Sequence, residues 1–495
     1  MKRTKIVCTI GPASETKTKI EKMIKSGLNV ARLNFSHGSY EHHAMLINNI
    51  RQVSNKLGQP VAILQDLQGP RIRTGNIEKD GIKVEAGQKI YLVPENFKIS
   101  LKDISTFIPI QYPNLYRDVK PGDPILIDDA KIELEVLAIK SKAIICQVKI
   151  GEVINSHKGM NFPKSKITAP PVTSKDHQDL LFGLKQNIDF VALSFVKDAK
   201  DVIDLRKSIH QIETRLGQKI KDFKKPQRGG KGPTTHTKII AKIERPEAVA
   251  NFEEILQAVD GIMIARGDLG LEIPLEDLPL IQKKIIRRCI QEAKPVIVAT
   301  QMLDSMIRYP VPTRAEVSDV ANAILDGTDA IMLSGETATG KYPLKAVQVM
   351  TKIAGEVEKM EIAEHKKIED FLSKKGGTTE TVCHAVKTVA DDLKAKYVVC
   401  TTTTGYSARS VVKYRPNISV VAMSASEKTR NQLCLSWGVH PYHLSFDESF
   451  NKMLEQIKKL LAKKKLVVKG DIIVIAAGHP FGYLGQTNLI KVEII

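Results

Sequence analysis

Eight short, nearly uninterrupted apolar runs recur between residues 5 and 337, with helical periodicity between most of them. The runs are KIVCTIGP (5–12), NVARLNFS (29–36), VAILQDLQG (61–69) and FVALSFV (190–196). They continue with TKIIAKIE (237–244), GIMIARGD (261–268), PVIVATQM (295–302) and AIMLSGET (330–337). Amphipathic stretches at 16–26, 44–57, 176–185, 281–293 and 314–325 read as helices. A strand that is apolar on both faces needs cover on both faces, which means a parallel sheet flanked by helices. Eight such β-α units predict an α/β fold, a closed (β/α)8 barrel of the TIM type.

One connection breaks the rhythm. Between Gly69-Pro70 and Ala169-Pro170-Pro171 the chain has no strong helical period; apolar and polar residues alternate, with turn signals such as Lys120-Pro121-Gly122-Asp123. This predicts a small β-barrel lid inserted after the third strand, its proline-bounded ends suited to hinges. Past Gly376 the α/β pattern restarts. Helices are expected at 379–394, 407–414, 428–437 and 446–466, and strands at 397–401, 419–423 and 471–477, in a sheet of about five strands. The expected division is a catalytic barrel over 1–70 and 168–345, a lid over 71–167, and a C-terminal α/β domain over 346–495. A chain of 495 residues is too long for one ordinary core, in keeping with that count.

Composition excludes several classes. No apolar run approaches the roughly 20 residues that span a bilayer. The N-terminus reads as a first strand, not a signal peptide, so a cytoplasmic location is expected. The six cysteines are scattered without CxxC spacing and read as buried free thiols. The net charge of +19 admits anionic partners. With aromatics at only 5%, the stacking that supports nucleic-acid binding is scarce, so nucleic acid is not expected as a primary partner. The densest basic run, from Lys219 to Lys231, reads as an exposed insertion.

Chemistry gathers where a barrel places its active site, at the C-terminal ends of the strands. Strand 2 ends Arg32-Leu33-Asn34-Phe35-Ser36-His37, and strand 3 ends Asp66-Leu67-Gln68-Gly69-Pro70-Arg71-Ile72-Arg73. Strand 5 ends Lys242-Ile243-Glu244, and strand 6 ends Ala265-Arg266-Gly267-Asp268. Strands 7 and 8 end Thr300-Gln301-Met302 and Ser334-Gly335-Glu336-Thr337. Alternation puts Arg32, Asn34 and Ser36 on one face, and Lys242 with Glu244 on one face. Glu244 and Asp268 are carboxylates on adjacent strands that could share Mg²⁺. Arg32, Arg73 and Lys242 would surround the same cavity with three cations. Divalent metal beside clustered cations is a phosphoryl-transfer arrangement, because the moving group must have its charge neutralised. Gly267-Asp268-Leu269-Gly270 would open a short helix whose free amides suit a substrate carboxylate. No GxxxxGK[ST] loop and no GxGxxG follows a strand, so any nucleotide is held by other means.

The chain resembles the pyruvate kinase family along nearly its whole length. The resemblance is carried by Lys5-Ile6-Val7-Cys8-Thr9-Ile10-Gly11-Pro12, Arg32-Leu33-Asn34-Phe35-Ser36-His37-Gly38, Lys242-Ile243-Glu244 and Ala265-Arg266-Gly267-Asp268-Leu269-Gly270. It continues through Ala299-Thr300-Gln301-Met302-Leu303-Asp304-Ser305-Met306, Pro312-Thr313-Arg314-Ala315-Glu316, Asp319-Val320-Ala321-Asn322-Ala323 and Gly485-Gln486-Thr487-Asn488. It implies transfer of a phosphoryl group from phosphoenolpyruvate to ADP, giving pyruvate and ATP, the last step of glycolysis. It implies Glu244 and Asp268 as ligands of Mg²⁺ or Mn²⁺, and Arg32 and Lys242 on the transferring group, with Lys242 also stabilising the enolate. The amides near Gly267 and Asp268, with Thr300, would hold the substrate carboxylate, and Thr300 would lie near the enolate carbon. Arg73, Lys158, Asn34 and His37 would line the nucleotide side, Lys158 reaching in from a lid that closes over it. A homotetramer is the expected assembly.

The family commonly places a monovalent cation at positions matching Asn34, Ser36, Asp66 and the Leu67 carbonyl. Its members typically read Asp-Thr-Lys-Gly-Pro-Glu-Ile-Arg where this chain reads Asp66-Leu67-Gln68-Gly69-Pro70-Arg71-Ile72-Arg73. Arg71 replaces an acid, so the expectation is an enzyme that does not require K⁺. The hydroxyl-rich Thr401-Thr402-Thr403-Thr404-Gly405-Tyr406-Ser407 resembles a loop that takes a phosphorylated allosteric effector in many members. The plainer reading of that loop is a solvated turn with Ser407 as helix cap. A metal-dependent aldolase or lyase barrel would share Glu244 and Asp268 but would not explain the lid or the three cations.

Overall fold

The computed structural model describes residues 2–95, 106–217, 236–360, 377–445, 449–478 and 487–495. The basic run from Lys219 to Lys231, the first residues of the helix expected over 446–466, and Gly485-Gln486 lie outside the described residues.

Local signals act where the sequence places them. Helix α1 (Lys17–Lys25) starts at Thr16, whose hydroxyl accepts from the Lys19 amide. α2 (Tyr40–Leu57) starts at Ser39 and ends on Gly58 in the left-handed conformation. After strands β1 (Lys5–Thr9), β2 (Val30–Asn34) and β3 (Ala62–Asp66) the chain leaves for the insertion. The insertion holds β4 (Ile82–Lys83), β5 (Lys89–Pro94), β6 (Phe107–Ile110), the single turn α3 (Leu115–Asp118), β7 (Pro124–Ile127), β8 (Ile132–Lys140), β9 (Ala143–Ile150), β10 (Val153–Ile154) and β11 (Met160–Asn161). The barrel resumes with α4 (Ser174–Lys185), β12 (Phe190–Leu193), α5 (Ala199–Arg215) and β13 (Lys238–Ile243). Next come α6 (Pro246–Ala250), α7 (Phe252–Ala258), β14 (Gly261–Ala265), α8 (Arg266–Glu272), α9 (Leu278–Gln291) and β15 (Val296–Ala299). It finishes with α10 (Arg314–Leu325), β16 (Ala330–Leu333), α11 (Gly335–Ala338) and α12 (Pro343–Met360). Capping boxes start α4 at Thr173 with Asp176, and α10 at Thr313 with Glu316.

All eight expected runs are strands of one closed parallel barrel, in the order β1-β16-β15-β14-β13-β12-β3-β2. Alternation sorts their side chains. Val7, Val30, Leu64, Ile240, Met263, Ile297 and Met332 fill the lumen, while Ile6, Cys8, Ile63, Ile239 and Ile262 face the helices. Each such buried side chain contributes about 1.5–3 kcal/mol relative to exposure. Continuing the inward register upward from Val7, Val30, Leu64, Phe190-Ala192 and Ile240 brings Thr9, Arg32, Asp66, Ser194, Lys242 and Glu244 to the mouth. The core pattern therefore aims the site.

The insertion is a six-stranded curled sheet, β11-β7-β8-β9-β5-β6, with β4 and β10 as a separate pair. Isolated bridges from Arg73 to Gly159 and from Thr74 to Ile110 stitch its two edges. Its own core holds Ile90, Leu92, Ile108, Ile125, Leu134 and Val148.

The C-terminal part is a five-stranded sheet, β19-β18-β17-β20-β21. β17 (Tyr397–Thr401), β18 (Val420–Ser424) and β20 (Ile472–Ala477) match the expected strands. β19 (Val439–His443) and β21 (Leu489–Ile494) form the two edges, and β21 runs antiparallel. β19 (VHPYH) is broken by a proline and two histidines, whereas β21 (LIKVEI) carries an alternating apolar signal that was not singled out beforehand. The helix expected over 428–437 stops at Gln432. The chain tightens into one 3-10 turn, Leu433–Leu435, because Cys434 and Leu435 enter the bottom of the barrel and join its lumen core. Trp437 is buried between the guanidinium groups of Arg3 at 5.5 Å and Arg415 at 4.4 Å. All six cysteines are buried and free. Among the described residues no helix is long and apolar enough to cross a membrane.

Candidate active site

Four charges interlock at the barrel mouth. Arg32 Nε donates to Asp66 Oδ2 at 2.7 Å, and its NH1 donates to Thr9 Oγ1 at 2.8 Å. Lys242 Nζ lies 2.8 Å from Glu244 Oε1 and 3.4 Å from Asp66 Oδ1, and donates to Ser194 Oγ at 2.9 Å. Ser194 in turn donates to the Leu67 carbonyl at 2.7 Å. Burial works against the Lys242 ammonium, but Asp66 and Glu244 outweigh it and hold its pKa above the ordinary lysine value. The side chain is therefore a fixed cation at neutral pH. Burial also opposes the charge of Asp66, yet Lys242 and Arg32 win and hold its pKa low. Glu244 goes the other way. Burial pushes its pKa up and the charge of Asp268 adds to this, against the opposing pull of Lys242 and the Phe195 amide, which donates at 2.7 Å. Glu244 and Asp268 together offer carboxylate oxygens at a cation-rimmed mouth, a donor set that suits a divalent ion.

The next strand ends bring in Arg266, Gly267, Asp268 and Thr300. Arg266 opens α8 and is clamped by both oxygens of Asp319 at 2.7 Å. This fixes the turn that presents Gly267 and Asp268. The Gly267 amide donates to Thr300 Oγ1 at 2.7 Å. Thr300 and Gln301 both have positive φ, 70° and 55°, a costly conformation for a β-branched threonine and one that clusters at functional sites. Arg71 turns into the mouth, with NH2 3.5 Å from Asp268 Oδ1. A Cβ on Gly159 of the lid would sit 3.1 Å from that guanidinium, so the glycine permits the approach.

The residues expected on the nucleotide side are spread more widely. Arg73 NH1 donates to the His157 carbonyl at 2.9 Å, and Lys158 pairs with Asp128 at 3.0 Å inside the lid. Burial lowers the pKa of His37, and Arg73, Arg71 and Arg32 lower it further, so these cations share its surroundings. Asn34 Oδ1 accepts from the Ser36 amide at 3.1 Å. Of the four monovalent-cation positions, Asp66, Leu67 and Asn34 thus already accept from protein donors.

In the C-terminal loop Thr401 and Thr402 are buried and Thr403 is exposed. Thr402 Oγ1 accepts from the Gly405 amide at 2.9 Å, and Thr404 Oγ1 accepts from the Tyr406 amide at 3.4 Å. Ser407 is not the cap. Gly405, at φ 82°, precedes the helix Tyr406–Val412, and Ser407 lies within it, its Oγ accepting from Thr487 at 2.7 Å. A left-handed residue is needed there, and glycine supplies it without strain.

The sequence reading missed Thr9, Ser194 and Asp319, which hold Arg32, Lys242 and Arg266. Thr9 and Ser194 end strands 1 and 4, the two strands whose ends were not singled out for their chemistry. Period-2 counting from Val7 and Ala192 was the signal that could have found them.

Comparison with known proteins agrees with this geometry. A family model described as the pyruvate kinase barrel domain matches residues 1–347, and one described as the pyruvate kinase alpha/beta domain matches 380–493. The chain is 44% identical over 498 residues to a pyruvate kinase of Geobacillus stearothermophilus, covering 100% of this chain and 80% of that one. It is 43% identical over 500 residues to one of Clostridium acetobutylicum, covering 100% of both. A solved pyruvate kinase from Cryptosporidium parvum aligns with a TM-score of 0.89 at 35% identity, covering 100% of this chain and 96% of that one. A closed barrel with a charged mouth, a curled insertion, a C-terminal α/β sheet and full-length relatives lead to one conclusion: the chain belongs to the pyruvate kinase family.

Proposed function

We propose that the mouth of this barrel moves the phosphoryl group of phosphoenolpyruvate to ADP with Lys242 and Arg32 as its working cations. The observation that carries the reading is the Arg32–Asp66–Lys242–Glu244 network facing Asp268 and Arg71. The bond between phosphorus and the enol oxygen breaks, and a bond from phosphorus to a terminal oxygen of ADP forms. The enolate left behind takes a proton at carbon and becomes pyruvate. Arg32 and Lys242 contact the moving group, and the Lys242 ammonium faces the enolate oxygen as charge develops there. Gly267, Asp268 and Thr300 orient the substrate carboxylate, and the Thr300 hydroxyl lies on the proton's path to carbon. Glu244 and Asp268 would hold Mg²⁺ or Mn²⁺, which supplies charge neutralisation at the phosphoryl oxygens. Arg73, Lys158, Asn34 and His37 bind the nucleotide, with the lid excluding water.

In this reading the chain divides into a catalytic barrel (1–70 and 168–345), a lid (71–167) and a C-terminal domain (346–495), α12 running across the last boundary. Thr401, Thr402, Thr403, Thr404 and Ser407 form the loop for a phosphorylated effector, and four chains assemble. Arg71 supplies the positive charge for which relatives use K⁺, leaving Asn34, Ser36, Asp66 and Leu67 without that ion.

The test is pyruvate formation from phosphoenolpyruvate, ADP and Mg²⁺. Nucleotide-dependent turnover is expected, and its absence would overturn the reading. Glu244→Ala and Asp268→Ala should each shift the Mg²⁺ titration to higher concentration, because each strips an oxygen ligand from a hard cation. If both keep the parent curve, the metal is held elsewhere.

A further inference from the structure

Helix α8 presents Gly267 and Asp268 to the mouth at one end, and its last residue, Glu272, faces the lid. Glu272 Oε1 accepts from Asn161 Nδ2 at 3.1 Å and from the Phe162 amide at 3.4 Å. Glu272 is 9% exposed and Asn161 6%. Asn161 belongs to β11, which pairs with β7 and follows Lys158 by three residues. Among the described residues the second oxygen, Glu272 Oε2, is buried without a hydrogen-bond partner, as is Arg245 Nε. An orphaned carboxylate oxygen costs stability, and a neutral amide would serve a passive contact more cheaply. Such a group held between two bodies that must move relative to one another is a clasp rather than packing.

We propose that Glu272 is a positioning residue for the reaction: by gripping Asn161 and the Phe162 amide it sets where the lid stands over Gly267 and Asp268. The inference rests on the proposed function, in which the lid carries Arg73 and Lys158 to the nucleotide. α8 is one short rigid element, so a shift at Glu272 reaches Gly267 across five residues, about 7.5 Å of helix. Lid position and the substrate-facing turn are thus held by one rod. The clasp acts on the geometry between nucleotide and carboxylate, so its loss is felt first by ADP.

The experiment compares Glu272→Ala, Asn161→Ala, their double variant and Glu272→Gln. Amide hydrogen exchange is read at Phe162 without substrates, beside KM for ADP, KM for phosphoenolpyruvate and kcat. Glu272→Ala should speed exchange at Phe162 and raise KM for ADP by about tenfold, the size of one lost charge-assisted hydrogen bond, and Asn161→Ala, which leaves the Phe162 bond in place, should move both in the same direction by less. KM for phosphoenolpyruvate should change less than about twofold under the same differential-binding argument. The double variant should match Glu272→Ala, because removing the shared acceptor already removes the Asn161 contact. Glu272→Gln, which keeps an acceptor oxygen but gives up the charge, should fall between the parent and Glu272→Ala. Unchanged exchange, additive effects in the double variant, equal changes in both KM values, or a glutamine variant as impaired as alanine would overturn the proposal. Exchange is read without turnover, so an inactive parent would sink the proposed function and leave the clasp to be judged separately.

Discussion

Lys242 is held by two carboxylates and a hydroxyl, and the opposing charges keep it protonated. In the proposed reaction its value lies in the transition state, where negative charge reaches the enolate oxygen. Lys242→Met is expected to lower kcat by roughly 100-fold or more, with a modest change in KM, as for loss of a preorganised electrostatic stabiliser. Steady-state kinetics decides it, and near-normal kcat would remove Lys242 from the mechanism. Arg71 is the other informative residue. It sits 3.5 Å from Asp268 and is only partly exposed, so its charge acts inside the mouth. In the proposed reading a fixed guanidinium there disfavours a monovalent cation and stands in for its field. The expected result is near-full activity in K⁺-free buffer with tetramethylammonium holding ionic strength, and K⁺ activation appearing in Arg71→Glu. Strong K⁺ activation of the parent enzyme contradicts this.

At the scale of elements, the 3-10 turn Leu433–Leu435 has the largest structural reach. It comes from the C-terminal domain, yet Cys434 and Leu435 pack with Val7, Val30, Leu64 and Ile240 in the barrel lumen. Leu435→Ala leaves a cavity at the floor of the barrel, where eight strands limit relaxation. Destabilisation of about 3 kcal/mol is expected, within the range for buried leucines. Denaturant unfolding measures it; a loss below about 1 kcal/mol would mean that the floor collapses onto the gap.

Across the whole molecule the cores are unequal. One apolar cluster runs from barrel residues such as Ile6 and Ile262 into Cys383, Val398, Trp437 and Val474 of the C-terminal part. The lid has a cluster of its own, built on residues such as Ile90, Leu134 and Val148. Barrel and C-terminal domain should therefore unfold as one cooperative unit, and the lid should open separately at lower free energy. Native-state hydrogen exchange tests this: β8 and β9 amides should exchange through a smaller opening than β13 and β17 amides. Equal opening free energies would show that the clasp at Glu272 and the hinge segments bind the lid fully into the global unit.

The amino-acid sequence by itself determined the eight strands, the lid interruption and the charged strand ends, because each is written in short-range terms. Period-2 apolar runs, the Thr16, Thr173 and Thr313 caps and the prolines at 70 and 170–171 act within a few residues of themselves. Arg32, Lys242 and Glu244 were legible for the same reason: a strand's alternation states which side chains face inward, and Asp268 was legible from its place just past the end of a strand. Tertiary structure alone decided which of these groups touch. The grip of Thr9 on Arg32, of Ser194 on Lys242 and of Glu272 on Asn161 joins residues 23, 48 and 111 positions apart. It also decided that the helix beginning at Glu427 stops at Gln432, since helical propensity there yields to the burial of Cys434 and Leu435 in a barrel made by other parts of the chain. Local propensity amounts to a few tenths of a kcal/mol per residue. Filling a barrel floor is worth about 1.5–3 kcal/mol for each large side chain, so packing wins wherever the two disagree.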